Sequence, residues 1–190
     1  MPFEIDLGKE TTCKYCTASK PKFAAARSAC VYDGNTRKIA VRFKFRDGTY
    51  LAPHIASFML NAGRELLYKT DVITAVPLHY NRQLKRKYNQ ASLLAKHLAK
   101  QTKIAYEPFL LKRIKSTKQQ TKLNKKQRTE NVEDAFQASD DFNYRGKTIM
   151  IVDDVMTTGA TINECAKALK QKGAKKVYAL TFARVNSVGG

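Results

Sequence analysis

The segment "TIMIVDDVMTTGATINECAKALKQKGAKKVYALTFA", Thr148 to Ala183, constrains the fold more than any other part of the chain. It opens with the apolar run "TIMIVDD", passes through the loop "VMTTGA" and continues into "TINECAKALKQKG". In that third piece Ile162, Cys165, Ala166 and Leu169 recur at helical spacing, and Gly173 falls where a C-terminal cap belongs. A second apolar run, "KKVYALTFA", follows. Strand, loop, helix and strand in this order form a βαβ crossover, normally right-handed, with its two strands parallel. Parallel strands are covered on both faces, so the expected class is α/β, an open, mostly parallel twisted sheet flanked by helices.

Upstream, "SACVY" before Asp33-Gly34 reads as a short strand ending in a turn. Ile39 and Phe43, then Leu51, Ile55, Phe58, Met59, Ala62 and Leu66, mark two amphipathic helices in "TRKIAVRFKF" and "YLAPHIASFMLNAGRELL". "DVITAVP" is a buried strand stopped by Pro77, opening into the loop "LHYNRQLKRKYNQ" and the helix "ASLLAKHLAKQ". "YEPFLLKRI" reads as one further strand. The polar, basic segment "KSTKQQTKLNKKQRTENVEDAF" has no sustained apolar face before Val132 and Phe136, and is expected to be a mobile loop and a helix. Residues 1–26 read as an irregular appendage, and 27–190 as one domain, within the size that a single core supports.

Charge is unevenly distributed. The formal net charge is +19, and Asn81 to Arg128 alone holds fifteen Lys or Arg against one acid, Glu107. Such a field draws in polyanions, either nucleic acid or a small polyphosphate. No apolar window approaches the roughly 20 residues of a membrane span, and the N-terminus lacks the pattern of a signal peptide, so the expected location is cytoplasmic. In that compartment thiols stay reduced, which turns Cys13, Cys16, Cys30 and Cys165 toward metal binding or burial and away from disulfides. Cys30, in "SACVY", and Cys165, on the helix stripe, read as core thiols.

Asp153 and Asp154 stand at the carboxyl end of the first strand of the βαβ unit, immediately ahead of Thr157, Thr158, Gly159, Ala160 and Thr161. Ligands of open parallel sheets bind at strand carboxyl ends, where a helix N-terminus offers backbone N–H groups and the positive end of its dipole. Gly159 permits a tight turn that directs successive N–H groups at one anion, and the threonines add hydroxyl donors. The two carboxylates can accept hydrogen bonds from vicinal hydroxyls or hold a divalent cation. A ribose 5′-phosphate satisfies both halves, with its 2′- and 3′-hydroxyls on the aspartates and its phosphate in the loop. Each half alone also occurs as ordinary turn or capping chemistry; the ordered combination is what points to a site.

"IVDDVMTTGAT" resembles the phosphoribosyl-pyrophosphate signature of type I phosphoribosyltransferases. Together with "AVPLHYNRQLKRKYNQASLLA", "RIKSTKQQTKLNKKQRTENVEDAF" and "YALTFARV", it makes the chain similar to the ComF (competence protein F) family from about Cys13 to Val185. The resemblance implies the type I phosphoribosyltransferase fold, with Asp153 and Asp154 on the ribose hydroxyls and Thr157 to Thr161 on the 5′-phosphate. It assigns the loop after "ITAVP" to pyrophosphate, with His79, Arg82, Arg86 and Lys87, and the segment containing Gln119, Arg128 and Asn131 to a hood that closes over the site. Closure would shield an oxocarbenium-like ribosyl centre from water, while Mg²⁺ and basic residues stabilise the departing pyrophosphate. Where the family has a second Arg or a Gly, Lys87 keeps the charge and not the bidentate fork. Neither a general base nor an acceptor-binding element is recognisable.

ComF relatives carry two Cys-x-x-Cys pairs as an N-terminal zinc ribbon. Here Cys13 and Cys16 form one pair, two of the four ligands a structural Zn²⁺ needs. An N-terminally truncated chain, a site completed by another subunit, as in a homodimer, and a ribbon without metal all fit this pattern. The resemblance also links the chain to natural competence, with single-stranded DNA and DNA-uptake proteins as partners. Two functional readings follow, a phosphoribosyltransferase-like protein with an unidentified acceptor and a non-catalytic DNA-associated protein that keeps the pocket as a sensor or scaffold. Tyr88, Tyr106, Phe109 and Phe136 are candidates for base stacking or for the core.

Overall fold

Among the described residues, β1 (Ala25–Val31), β2 (Val72–Ala75), β3 (Ala105–Tyr106), β6 (Thr148–Met156) and β7 (Lys176–Arg184) form one sheet in the order β1-β7-β6-β2-β3, and every neighbouring pair is parallel. The computed structural model describes residues 20–45, 48–78, 88–115, 127 and 130–185. His79, Arg82, Arg86, Lys87, Gln119, Arg128, Cys13 and Cys16 lie outside the described residues, as does most of the expected mobile loop. Beside the strands run the α-helices α1 (Gly34–Phe45), α2 (Ala52–Leu67), α3 (Gln90–Thr102) and α4 (Ala160–Gln171).

Side-chain alternation along β6 divides the core in two. Met150 and Val152 pack with Phe43 of α1, Met59 of α2 and Leu94 and Leu98 of α3, whereas Ile149 and Ile151 pack with Ile162, Cys165 and Leu169 of α4. All of these side chains are essentially inaccessible to water. The resulting apolar burial on both faces is what the near-continuous hydrophobic strands encode. Gly63 of α2 sits so close to the sheet that an added Cβ would lie 2.7 Å from Leu180 Cδ1. Polar side chains within the sheet are satisfied locally. The Thr74 hydroxyl donates to the Glu107 carbonyl at 2.9 Å, and the Thr181 and Ser28 hydroxyls share a 2.7 Å hydrogen bond.

The βαβ unit has the expected order, and Gly173 closes α4 with a positive φ of 93°. β6 runs two residues further than the sequence pattern indicates, through Val155 and Met156, because β7 continues beside it as far as Arg184. "YEPFLLKRI" is not one strand. Pro108 has no N–H to continue the ladder, so β3 ends at Tyr106 and the chain turns through 107–110. It then forms β4 (Leu111–Arg113), which pairs antiparallel with β5 (Phe136–Ala138) in a separate two-stranded sheet beside α4. At the other end, the Ala24 N–H already donates to the Val177 carbonyl, so the chain joins β7 just ahead of β1.

Candidate functional site

β6 lies between two crossovers that leave on opposite faces. α3 links β2 to β3 on one face, while α4 links β6 to β7 on the other. The boundary between β2 and β6 is therefore a topological switch point, the place where open α/β sheets leave a crevice at their carboxyl edge. β2 pairs with β6 only as far as Ala75 and Val152, with a last hydrogen bond from the Val76 N–H to the Val152 carbonyl. Pro77 then ends the ladder, and β6 continues past its neighbour with Asp153 and Asp154 at the crevice.

The aspartates meet the hydrogen-bonding needs of the backbone there. Asp153 Oδ1 accepts the Asp154 N–H, and Asp154 Oδ1 accepts the Val155 N–H, both at 2.8 Å. These bonds fix both carboxyl groups against β6. Burial, and then the adjacent Asp154 charge, push the Asp153 carboxyl well above the usual carboxylate range, against smaller opposing effects that include the charge of Lys44.

Three residues on, Gly159 occupies the N-cap position of α4 with φ 79° and ψ 0°. That left-handed conformation turns the chain sharply from strand to helix, and its carbonyl accepts the Asn163 N–H at 2.8 Å. Gly159 has no side chain to cap the helix, and the first turn of α4 has no acidic residue, so the positive end of its dipole faces the crevice. Thr157, Ala160 and Thr161 are half-buried around the turn, and Thr158 is exposed, its hydroxyl accepting the Ala160 N–H over a long 3.4 Å. The structure thus brings Asp153, Asp154 and Thr157 to Thr161 together at one strand end.

Asn131 is half-buried on the α4 side, its N–H donating to the Gln127 carbonyl at 2.9 Å, one residue before the fully buried Val132. Cys165 is fully buried, and burial, reinforced by Asp153, holds its thiol well above the ordinary value. Such a thiol is inert. Cys30 is half-buried on β1. Phe136 is in the core on the α4 face, and Tyr106 packs partly buried against the core on the opposite face, whereas Phe109 is 78 % exposed. The Tyr88 hydroxyl donates to the Phe43 carbonyl at 2.6 Å, a structural engagement.

Two basic residues near the crevice escaped sequence reasoning. Arg113, at the end of β4, holds its guanidinium 5.2 Å from the Phe136 ring centroid and draws the Cys165 thiol downward against the larger effect of burial. Lys44, in the last turn of α1, acts on Asp153. The "FKFR" run carries a visible basic cluster, but nothing local indicates that α1 ends at the carboxyl edge.

An aspartate pair and a glycine turn at the switch point of an all-parallel sheet define an open α/β protein whose candidate site lies at the carboxyl edge of that sheet. The phosphoribosyl transferase domain model matches residues 89–188, which include α3, β6, the glycine turn, α4 and β7. The chain belongs to the phosphoribosyltransferase family, in its ComF branch.

Competence protein F of Haemophilus influenzae is 34 % identical over 151 residues, covering 75 % of this chain and 65 % of that protein. The DNA utilization protein YhgH of Salmonella typhimurium is 29 % identical over 177 residues, covering 90 % of this chain and 77 % of that protein. Competence protein ComFC of Bacillus subtilis is 31 % identical over 162 residues, covering 83 % and 63 %. The match therefore spans less than two thirds of the Haemophilus and Bacillus proteins. No helix among the described residues is long and apolar enough to cross a membrane.

Proposed function

We propose that the crevice binds phosphoribosyl pyrophosphate or a ribose 5-phosphate ligand, in a phosphoribosyltransferase-like protein that serves DNA uptake or utilization. The observation that carries this reading is the fixed succession at the end of β6, two anchored carboxyl groups followed by a left-handed glycine at the N-cap of α4. Asp153 and Asp154 accept the 2′- and 3′-hydroxyls, and the turn from Thr157 to Thr161 takes the 5′-phosphate. His79, Arg82, Arg86 and Lys87 supply charge for the pyrophosphate, with Gln119, Arg128 and Asn131 in the segment that closes over it. Carboxylate oxygens are the hard ligands that Mg²⁺ prefers, so Asp153 and Asp154 suit a Mg²⁺ that arrives with the ligand and neutralises its phosphates. Zn²⁺ at Cys13 and Cys16 requires two ligands from elsewhere.

Phosphoribosyl pyrophosphate with Mg²⁺ should raise the melting temperature of the wild type, and the Asp153→Asn/Asp154→Asn double variant should stay folded and lose that shift. An equal shift in the double variant would remove the assignment. Pyrophosphate release with candidate bases or amines tests transfer to an acceptor.

The relatives named for competence and DNA utilization favour a second reading, in which the basic middle of the chain contacts single-stranded DNA. A phosphate-dominated mode gives affinity that falls steeply with salt, and a flat log–log slope excludes it.

A further inference from the structure

The helices that cover Met150 and Val152 carry an aromatic stripe on their outer side. α2 buries Ile55, Ala56, Met59 and Gly63, so its outward side runs through His54 and Phe58, and Tyr50 of the 3₁₀ turn Gly48–Leu51 extends the line. These three residues follow at four-residue intervals. Tyr50 is 55 % exposed and Phe58 63 %, with exposed His54 between them. Neither ring serves the core.

Cations flank the stripe. The chain returns from α1 so tightly that a Cβ on Gly48 would lie 2.7 Å from the Arg42 carbonyl oxygen, and the Arg42 guanidinium stands 5.7 Å from the Tyr50 ring centroid. Lys38, one turn earlier on α1, is exposed beside Arg42. Next to Phe58, the Ser57 hydroxyl oxygen accepts a 3.2 Å hydrogen bond from Gln101 Nε2, which joins α2 to the end of α3 and its exposed Lys96 and Lys100. α1, α2 and α3 together hold seven Lys or Arg, four, one and two in turn. Against these stands one acid, Glu65, which is paired with Arg27 of β1.

Such an excess of cations favours an anionic partner and disfavours a second copy of a chain whose net charge is +19. The groups between the rings narrow the choice of anion. His54, Ser57 and Asn61 break the apolar surface with hydrogen-bonding side chains, which suit the edges of bases and not acyl chains. An exposed ring beside an arginine combines stacking with charge, the combination that holds unpaired bases.

We propose that this face is a docking surface for single-stranded nucleic acid, with bases stacked on Tyr50 and Phe58 and phosphates held by Lys38 and Arg42. This rests on the second reading above and adds to the basic middle of the chain a contact surface on α1 and α2, outside it.

Fluorescence anisotropy of a labelled oligothymidine should be followed across a salt series for the wild type, Tyr50→Ala, Phe58→Ala, Tyr50→Phe and the Lys38→Gln/Arg42→Gln double variant. Loss of one stacking partner predicts a loss of about fivefold or more in affinity in Tyr50→Ala and in Phe58→Ala, with the log–log salt slope unchanged, and near wild-type affinity in Tyr50→Phe. The double charge variant should instead flatten the slope by roughly 1.4, the share of two phosphate contacts to a single strand. Unchanged affinity and slope in every variant would overturn this surface and leave the second reading, through the basic middle of the chain, intact. A wild type that binds no single strand would overturn both. Weaker binding of Tyr50→Ala to anionic lipid vesicles, with its oligothymidine affinity unchanged, would give the face to a membrane surface and overturn the proposal. Should Tyr50→Ala fail to fold, Tyr50→Leu, apolar and without a ring face, gives the same comparison.

Discussion

Asn89 joins the end of β2 to the start of α3 through Val76, donating from Nδ2 to the Val76 carbonyl at 3.0 Å while its Oδ1 accepts the Ala91 N–H at 3.0 Å. One amide side chain thus caps a helix and satisfies a carbonyl beyond the end of a strand ladder. Asn89→Ala should lower stability by about 1–2 kcal/mol, the usual loss of an N-cap together with an orphaned carbonyl. Asn89→Asp keeps the acceptor and loses the donor, so its loss should be smaller. Urea unfolding of the three proteins separates the two contributions, and equal stability for wild type and Asn89→Ala would show that the cap contributes nothing.

Much of this arrangement was legible in the sequence. β6, α4 and β7 could be read because their periods differ cleanly, near-continuous apolar runs on either side of a stripe at Ile162, Cys165 and Leu169. Asp153, Asp154 and the glycine turn could be placed together because a strand, loop and helix in succession leave them little choice. By contrast, the pairing of β4 with β5 joins Leu111 to Ala138 across an intervening polar segment, and no local pattern encodes such a distant partner. The splitting of "YEPFLLKRI" was legible in principle from Pro108. The end of α1 is set beside the start of α3 by the packing of Phe43 and the bonds from Tyr88 and Gln90, which are tertiary facts.

Gly159 isolates a backbone effect from a steric one. An added Cβ would meet only Met156 Sδ at 3.8 Å, an ordinary contact, so any loss on substitution comes from its φ of 79°. Gly159→Ala should destabilise the protein by about 1–2 kcal/mol, the cost of a left-handed conformation for an L-residue, or else relax the turn. Either response disturbs the N–H groups aimed at the ligand, and the ligand-induced rise in melting temperature should shrink. Gly159→Asn, which tolerates this region better, should fall between the two. Thermal unfolding with and without phosphoribosyl pyrophosphate and Mg²⁺ gives both quantities, and a fully retained ligand shift in Gly159→Ala would contradict the role of the turn.

The raised pKa of Asp153 fixes the sign of a pH dependence. Burial and the neighbouring Asp154 hold its folded-state pKa well above the ordinary value of 3.8, so the folded protein binds this proton more tightly than the unfolded chain does. The resulting stability is fully present below about pH 4 and is lost as pH rises through the folded-state pKa. Above that pKa the ionised carboxylate, desolvated and beside Asp154, opposes folding. Asn at this position is neutral and keeps an oxygen for the Asp154 N–H, so Asp153→Asn should be more stable than the wild type at pH 7 in metal-free, ligand-free buffer. The advantage should shrink as pH falls toward 4, because the folded wild type takes up this proton at a higher pH than the unfolded chain does. Since other carboxylates titrate in both proteins, the quantity to follow is the difference between their urea midpoints across that range. A difference that stays constant, or that grows on acidification, would show that Asp153 is not held in the high-pKa state that its burial beside Asp154 imposes.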